Sequence, residues 1–173
     1  MILSERDSRQ EYLINAVRQI MTAVRTAPKA KGIDIIETFA VTGDDLRVLS
    51  EKTKALGEEK GLKFMLRDAG NTLSAGAALL IGTRTKTMGL TCGHCGFPTC
   101  AEKPELVPCA INTVDVGIAL GSACATAADL RLDTRVMFSV GAAAQELGWL
   151  GDCKTVFAIL LSISSKNPFF DRG

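Results

Sequence analysis

The sequence predicts an α+β fold in a single domain spanning residues 1–173, with a mixed β-sheet flanked by helices. Three observations carry that expectation. A chain of 173 residues, 47% of them hydrophobic, has enough apolar material for one real core. The runs IDIIETFAV (33–41), AALLIGT (77–83) and TVFAILLSI (155–163) have the length and composition of strands. Between them lie longer stretches with apolar residues three and four apart, the period of an amphipathic helix.

Taken in order, Arg9 to Thr26 reads as the first helix, because Leu13, Ile14, Val17, Ile20, Met21 and Val24 fall on one face. Asp7 or Ser8 is read as its N-cap, and Pro28 and Gly32 close it. The strand at 33–41 follows. A second helix starts within 42–45, with acidic residues in its first turn; Leu46, Leu49, Thr53 and Leu56 mark its buried face, and Gly61 lies just past its end. Residues 62–66 read as a short helix or strand. DAGNTLSAG after them is weakly patterned and reads mostly as loop, with Asp68 a candidate cap. The run 77–83 reads as a buried strand. Residues 113–130 read as a helix rich in small side chains, which suit close packing. After the short apolar run 136–140 comes a helix at 141–148, stopped by Gly148. The run 155–163 reads as a central strand. Phe169 and Phe170 near the end are expected to dock on a partner subunit or cap the chain's own core.

The strand at 77–83 feeds a segment of different composition, GLTCGHCGFPTCAEKPELVPC, residues 89–109. It holds Cys92, Cys95, Cys100 and Cys109, a C-x2-C-x4-C-x8-C spacing that uses four of the six cysteines. Thiolates this closely spaced suit an iron–sulfur cluster, read here as a 4Fe–4S centre, or structural zinc. Two disulfides and a set of free buried thiols are the remaining alternatives. Gly93 and Gly96 allow the loop to curl and aim backbone N–H groups inward, and Pro98 and Pro108 stiffen it. Arg84, Lys86 and Lys103 are placed to offset the negative charge of such a centre. In the folded protein the four sulfurs are expected to converge on one point. Cys124 and Cys153 are read as structural thiols, Cys124 being the substitute if Cys109 is not the fourth ligand. His94, the lone histidine, reads as a loop residue or a hydrogen-bond donor to the ligands, not as a ligand itself.

A net charge of +1 and the lack of a basic block give no argument for nucleic acid. The charged N-terminus does not read as a signal peptide, and no apolar run is expected to reach membrane-spanning length. The expected location is cytoplasmic, where thiols stay reduced and metal is favoured over disulfide. No Walker A, G-x-G-x-x-G or G-x-S-x-G pattern is found. The cations Arg25, Lys29 and Lys31 around Pro28 read as a phosphate or anionic-cofactor site, or as a solvated helix end.

TCGHCGFPTC, PCAINTVDVGIALGSA, DTRVMFSVGAAAQELG and KNPFFDR together resemble the ferredoxin-domain-containing proteins of bacteria and archaea. That resemblance implies iron–sulfur binding, with Cys92, Cys95, Cys100 and Cys109 as ligands, and redox work with a partner protein. The first three match the C-G-x-C-G-x-x-x-C opening of other 4Fe–4S domains, which place their fourth cysteine further downstream. AVRTAPKAKG is similar to the first-helix exit of flavin-dependent nitroreductases, A-A-R-x-A-P-S-A. This implies an α+β fold of that type, often a homodimer with FMN at the interface. Lys29 stands where that family has serine, and MILSE where it has an arginine-rich run.

Overall fold

Hydrophobic periodicity sets the first helix. In the computed structural model, which describes residues 1–170, α1 spans Glu5–Thr26 and buries Leu13, Ala16, Val17, Ile20 and Val24. It starts earlier than expected. Asp7 and Ser8 therefore lie in its first turn instead of capping it, and the Ser8 hydroxyl donates to Ser4 O at 2.7 Å. A short 3-10 turn, Ala30–Gly32, leads to β1 (Ile36–Thr42). Next come α2 (Asp44–Lys60), α3 (Lys63–Leu73) and β2 (Ala77–Thr83). The cysteine-bearing segment separates β2 from α4 (Ala110–Asp129). Then come β3 (Asp133–Met137), α5 (Phe138–Glu146) and β4 (Lys154–Ser162).

The strands form one sheet in the order β1-β2-β4-β3. Every pairing is antiparallel, so the mixed sheet expected from sequence is corrected. β1 is joined to β2 through α2 and α3, and β3 to β4 through α5, while the path from β2 to its neighbour β4 runs through α4, β3 and α5. β4 is interior, as expected.

Strand alternation divides the core into two layers. Ala78 and Leu80 of β2, with Ala158 and Leu160 of β4, face α2, α3 and α5. Leu79 and Ile81, with Ile159 and Leu161, face α1 and α4. Phe169 is buried in the first layer, which settles its role as a cap on the chain's own core. Phe170 is exposed, with the Arg135 guanidinium 4.4 Å from its ring centroid.

Residues 62–66 take the helical alternative, whereas the loop expected over DAGNTLSAG and the cap expected at Asp68 are corrected, since α3 runs on through DAGNTL as continuous helix. The 136–140 run divides between the end of β3 and the start of α5. α4, contrary to expectation, is long and apolar enough by length and composition to cross a membrane. Here its Val116, Ala119, Ala123 and Ala127 are built into the second core layer. Its outward face carries the exposed Val114 and Ile118, and both Gly117 and Gly121 open onto free space.

Candidate metal centre

The 84–109 segment bridges the end of a central strand and the start of the long helix α4. Both ends are therefore anchored in the core, while the middle lacks regular structure. Asn112, in the first turn of α4, holds the near end in place. Its Nδ2 donates to Lys86 O at 2.6 Å and more weakly to Arg84 O at 3.4 Å. Lys31 ties in from the other side, its Nζ 3.2 Å from Met88 O. Glycines do the turning: Gly89, Gly93 and Gly96 all have positive φ, and Gly96 N–H donates to Gly93 O at 2.9 Å, closing a turn around His94 and Cys95. Thr91 shares the left-handed conformation, with φ 48°.

Cys109 occupies the N-cap position of α4 and is buried. Burial alone pushes its thiol pKa up. The backbone N–H groups of Asn112, Met88 and Ile111, together with the Lys103 ammonium, outweigh burial and hold it below the ordinary cysteine value. The N–H···S contact with full hydrogen-bond geometry is at Cys100, whose Sγ accepts from Thr91 N–H at 3.3 Å. Residues 88–91 thus present N–H groups to the sulfurs of both Cys100 and Cys109. Cys92 is exposed, and Cys95 and Cys100 are half-buried.

The other two cysteines differ. Burial raises the Cys124 thiol, and burial followed by the Glu37 and Asp152 carboxylates pushes Cys153 up to about 11. Both stay protonated thiols near neutral pH, as expected of packing residues.

The expected convergence of the sulfurs is not found. Among the described residues, no group of three or more His, Cys, Asp or Glu side chains is gathered as a metal-holding set. The physical reason lies in the ligands themselves. Metals bind the deprotonated sulfur, so gathering the ligands is coupled to loss of their protons and to metal binding. His94 is exposed in the loop.

The donor set nonetheless suits a thiolate-bound anionic centre. Of the three cations placed nearby, Arg84 pairs with Glu37 and Lys86 is exposed, whereas Lys103 is buried with its Nζ on Pro104 O (2.9 Å) and Val107 O (2.5 Å). Sequence reasoning placed Lys103 near the centre and did not anticipate its burial; the signal was its position between two cysteines.

The cations at the exit of α1 are engaged within the chain. Arg25 Nη1 lies 2.5 Å from Asp34 Oδ2 and 2.9 Å from Ile36 O. Lys29 Nζ donates to Val24 O, Arg25 O and Ala27 O at 2.7–2.9 Å, closing the C-terminus of α1. The adjacent Ala30 N–H is shared by both oxygens of Asp115, a buried carboxylate of α4.

Residues 106–172 match the profile of uncharacterized proteins containing a ferredoxin domain. That segment includes Cys109 and begins after the other three loop cysteines. An uncharacterized protein from Archaeoglobus fulgidus is 37% identical over 183 residues, covering 100% of this chain and 98% of its own. The chain belongs to this family of ferredoxin-domain-containing proteins. Its fold is that of nitroreductases. Nitroreductase A from Vibrio parahaemolyticus superposes with a TM-score of 0.60 at 18% identity, over 89% of this chain and 60% of that one. An FMN-dependent nitroreductase from Clostridium difficile gives 0.56 at 16% identity, over 88% and 76%. The hypothetical oxidoreductase YcnD from Bacillus subtilis gives 0.54 at 22%, over 88% and 58%. The chain thus spans about three fifths of the length of YcnD and of the Vibrio protein.

Proposed function

We propose that the 89–109 loop of this protein holds an iron–sulfur cluster of the 4Fe–4S type on Cys92, Cys95, Cys100 and Cys109, and that the protein relays single electrons to or from a partner redox protein. The observation that carries this is Cys109. Backbone N–H groups and an ammonium favour its thiolate at the head of a twenty-residue helix, against the cost of burial. A thiol whose ionisation is favoured in this way is readied as a ligand, since metals bind the deprotonated form. Thr91 N–H gives Cys100 the same kind of support. When bound, a cluster supplies one-electron redox capacity that no side chain here has. The chain's own part is to orient the sulfurs and to donate N–H groups that favour the more negative state. A reducing, cytoplasmic setting fits the free thiols.

The test is anaerobic purification from iron-replete cells with analysis for iron, acid-labile sulfide and zinc. Iron and sulfide in near-equal amounts are the expected result. Stoichiometric zinc without sulfide would replace this reading with that of a zinc-held structural module.

A second reading is favoured by the nitroreductase fold: a flavin oxidoreductase in which a cluster feeds electrons to FMN and a small substrate. Bound flavin in the purified protein separates it from the first.

A further inference from the structure

We propose that β1 is a docking edge: an extended segment of another protein, apolar in its middle and basic at its ends, adds to the sheet there as a fifth strand. The inference stands on the sheet alone and does not depend on what the cysteine loop holds.

β1 lies at one end of the sheet, paired only with β2. Just before it, the Arg84 N–H donates to Ile35 O at 3.0 Å. Antiparallel pairs alternate, so Glu37, Phe39 and Val41 turn their backbone groups toward β2, while Ile36, Thr38 and Ala40 turn theirs outward. The fold caps the first of the outward set. Ile36 N–H donates to Asp34 Oδ1 at 3.3 Å, and Ile36 O accepts from Arg25 at 2.9 Å. Among the described residues, the outward groups of Thr38 and Ala40 have no such partner. Two N–H donors and two carbonyl acceptors therefore line an open edge, at the spacing a further strand needs.

The opposite edge is blunted. β3 has only five residues and carries Asp133 and Arg135, which Asn167 and the Phe170 ring engage. β1 has no charge from Thr38 to Thr42, and its Phe39 is 44% exposed. Hollows flank this edge on both faces. Phe39, Val41, Leu80 and Trp149 line one of about 280 Å³, and Ile14, Val17 and Met21 line another of about 360 Å³. Side chains of an incoming strand alternate between the faces, so apolar ones in its middle meet apolar walls on both.

Charge selects the occupant. The Phe39 face has Asp45 at one end, and Asp152 with the Glu37–Arg84 pair at the other, three carboxylates to one guanidinium. Basic ends complement it. A second copy of β1 does not, because antiparallel self-pairing about Phe39 brings the Glu37 and Asp152 end of one chain to the Asp45 end of the other. The C-terminal tail of a second copy is already committed, since Phe169 is buried in the core of its own chain.

The probe is a synthetic peptide of about seven residues, valine and threonine between terminal lysines. Trp149, the single tryptophan, lines the hollow beside Phe39 and reports binding by its fluorescence. Amide hydrogen exchange, read by NMR, follows the edge itself. In the free protein the Thr38 and Ala40 amides are expected to exchange fast and those of Phe39 and Val41 slowly, and saturating peptide should slow Thr38 and Ala40. Of two peptides methylated on alternate backbone nitrogens, the one whose methyls face β1 should bind about tenfold more weakly or worse, and so should a peptide ending in glutamates. Ala40→Pro removes an outward N–H and no bond to β2, and should weaken binding about fivefold, the worth of one hydrogen bond. If that variant does not fold, the methylated peptides decide with wild type alone. No response to millimolar peptide overturns the proposal, as does equal affinity for the parent and both methylated peptides. Equal affinity for lysine-ended and glutamate-ended peptides overturns the choice of a basic partner. Thr38 and Ala40 amides protected without peptide in a dimer give the edge to a second copy and overturn it as well.

Discussion

Cys109 and Cys153 are both buried, yet the fold pushes their thiols in opposite directions. Burial acts on each; at Cys109 the helix N-terminus and Lys103 reverse it, while at Cys153 carboxylates reinforce it. The consequence is testable residue by residue. Serine at Cys92, Cys95, Cys100 or Cys109 is expected to abolish or destabilise the cluster, because a hard oxygen is a poorer ligand for iron–sulfide than thiolate. Serine at Cys124 or Cys153 should leave iron and sulfide content unchanged. Iron and sulfide analysis of all six variants checks this, and loss of cluster in Cys124→Ser with retention in Cys109→Ser would move the fourth ligand. The cysteine spacing was legible in the sequence because it is local. The state of each thiol was not, since it depends on which backbone N–H groups and charges the fold brings up to the sulfur.

Elements whose buried face is apolar were legible; α3 shows why others were not. The buried side of α3 contains Met65, Asp68, Ala69 and Thr72, so half of it looks polar. In the fold Asp68 is satisfied by Arg67 and by the Ser139 hydroxyl of α5 at 2.5 Å, and Thr72 by the carbonyl of Asp68. Those partners lie within the helix or far along the chain, and a hydrophobic count does not see them. The contact of α5 on β4 was equally invisible. A Cβ on Gly141 would lie 2.1 Å from Val156 O and 2.6 Å from Phe157 Cα, both backbone atoms unable to step aside. Gly141→Ala is therefore expected to destabilise by about 1–3 kcal/mol, the range for overpacking, or more. Gly70 in α3 is the control, as it has open space around it. Gly70→Ala should be neutral or stabilise by roughly 0.5–1 kcal/mol through helix propensity. Urea unfolding midpoints read both, and a Gly141→Ala midpoint equal to wild type would mean that helix and strand are not pressed together there.

Across the whole molecule, the sheet order, the two-layer core and the similarity to nitroreductases describe one architecture, and architecture alone does not transfer a ligand. The solved relatives above are at most 22% identical to this chain. What decides flavin binding is whether free cations meet the phosphate. The exit of α1 is where sequence similarity to flavin enzymes lies, and its cations already have partners. Arg25 is committed to Asp34 and Ile36 O, and all three Lys29 donors are on carbonyls at the end of α1. A phosphate there would have to displace these contacts, leaving helix-end carbonyls without a donor. It would also approach the Asp34 and Asp115 carboxylates, which already attract Lys29. We therefore expect FMN binding to be absent or weak in the purified protein. Flavin fluorescence quenching, titrated with wild type and with Lys29→Met, reads the outcome. No quenching, or weak quenching that Lys29→Met leaves unchanged, fits commitment of these cations to the fold. Tightly held FMN that copurifies, and that Lys29→Met releases, would show that Lys29 abandons its carbonyls for phosphate and would move the protein among the flavin oxidoreductases.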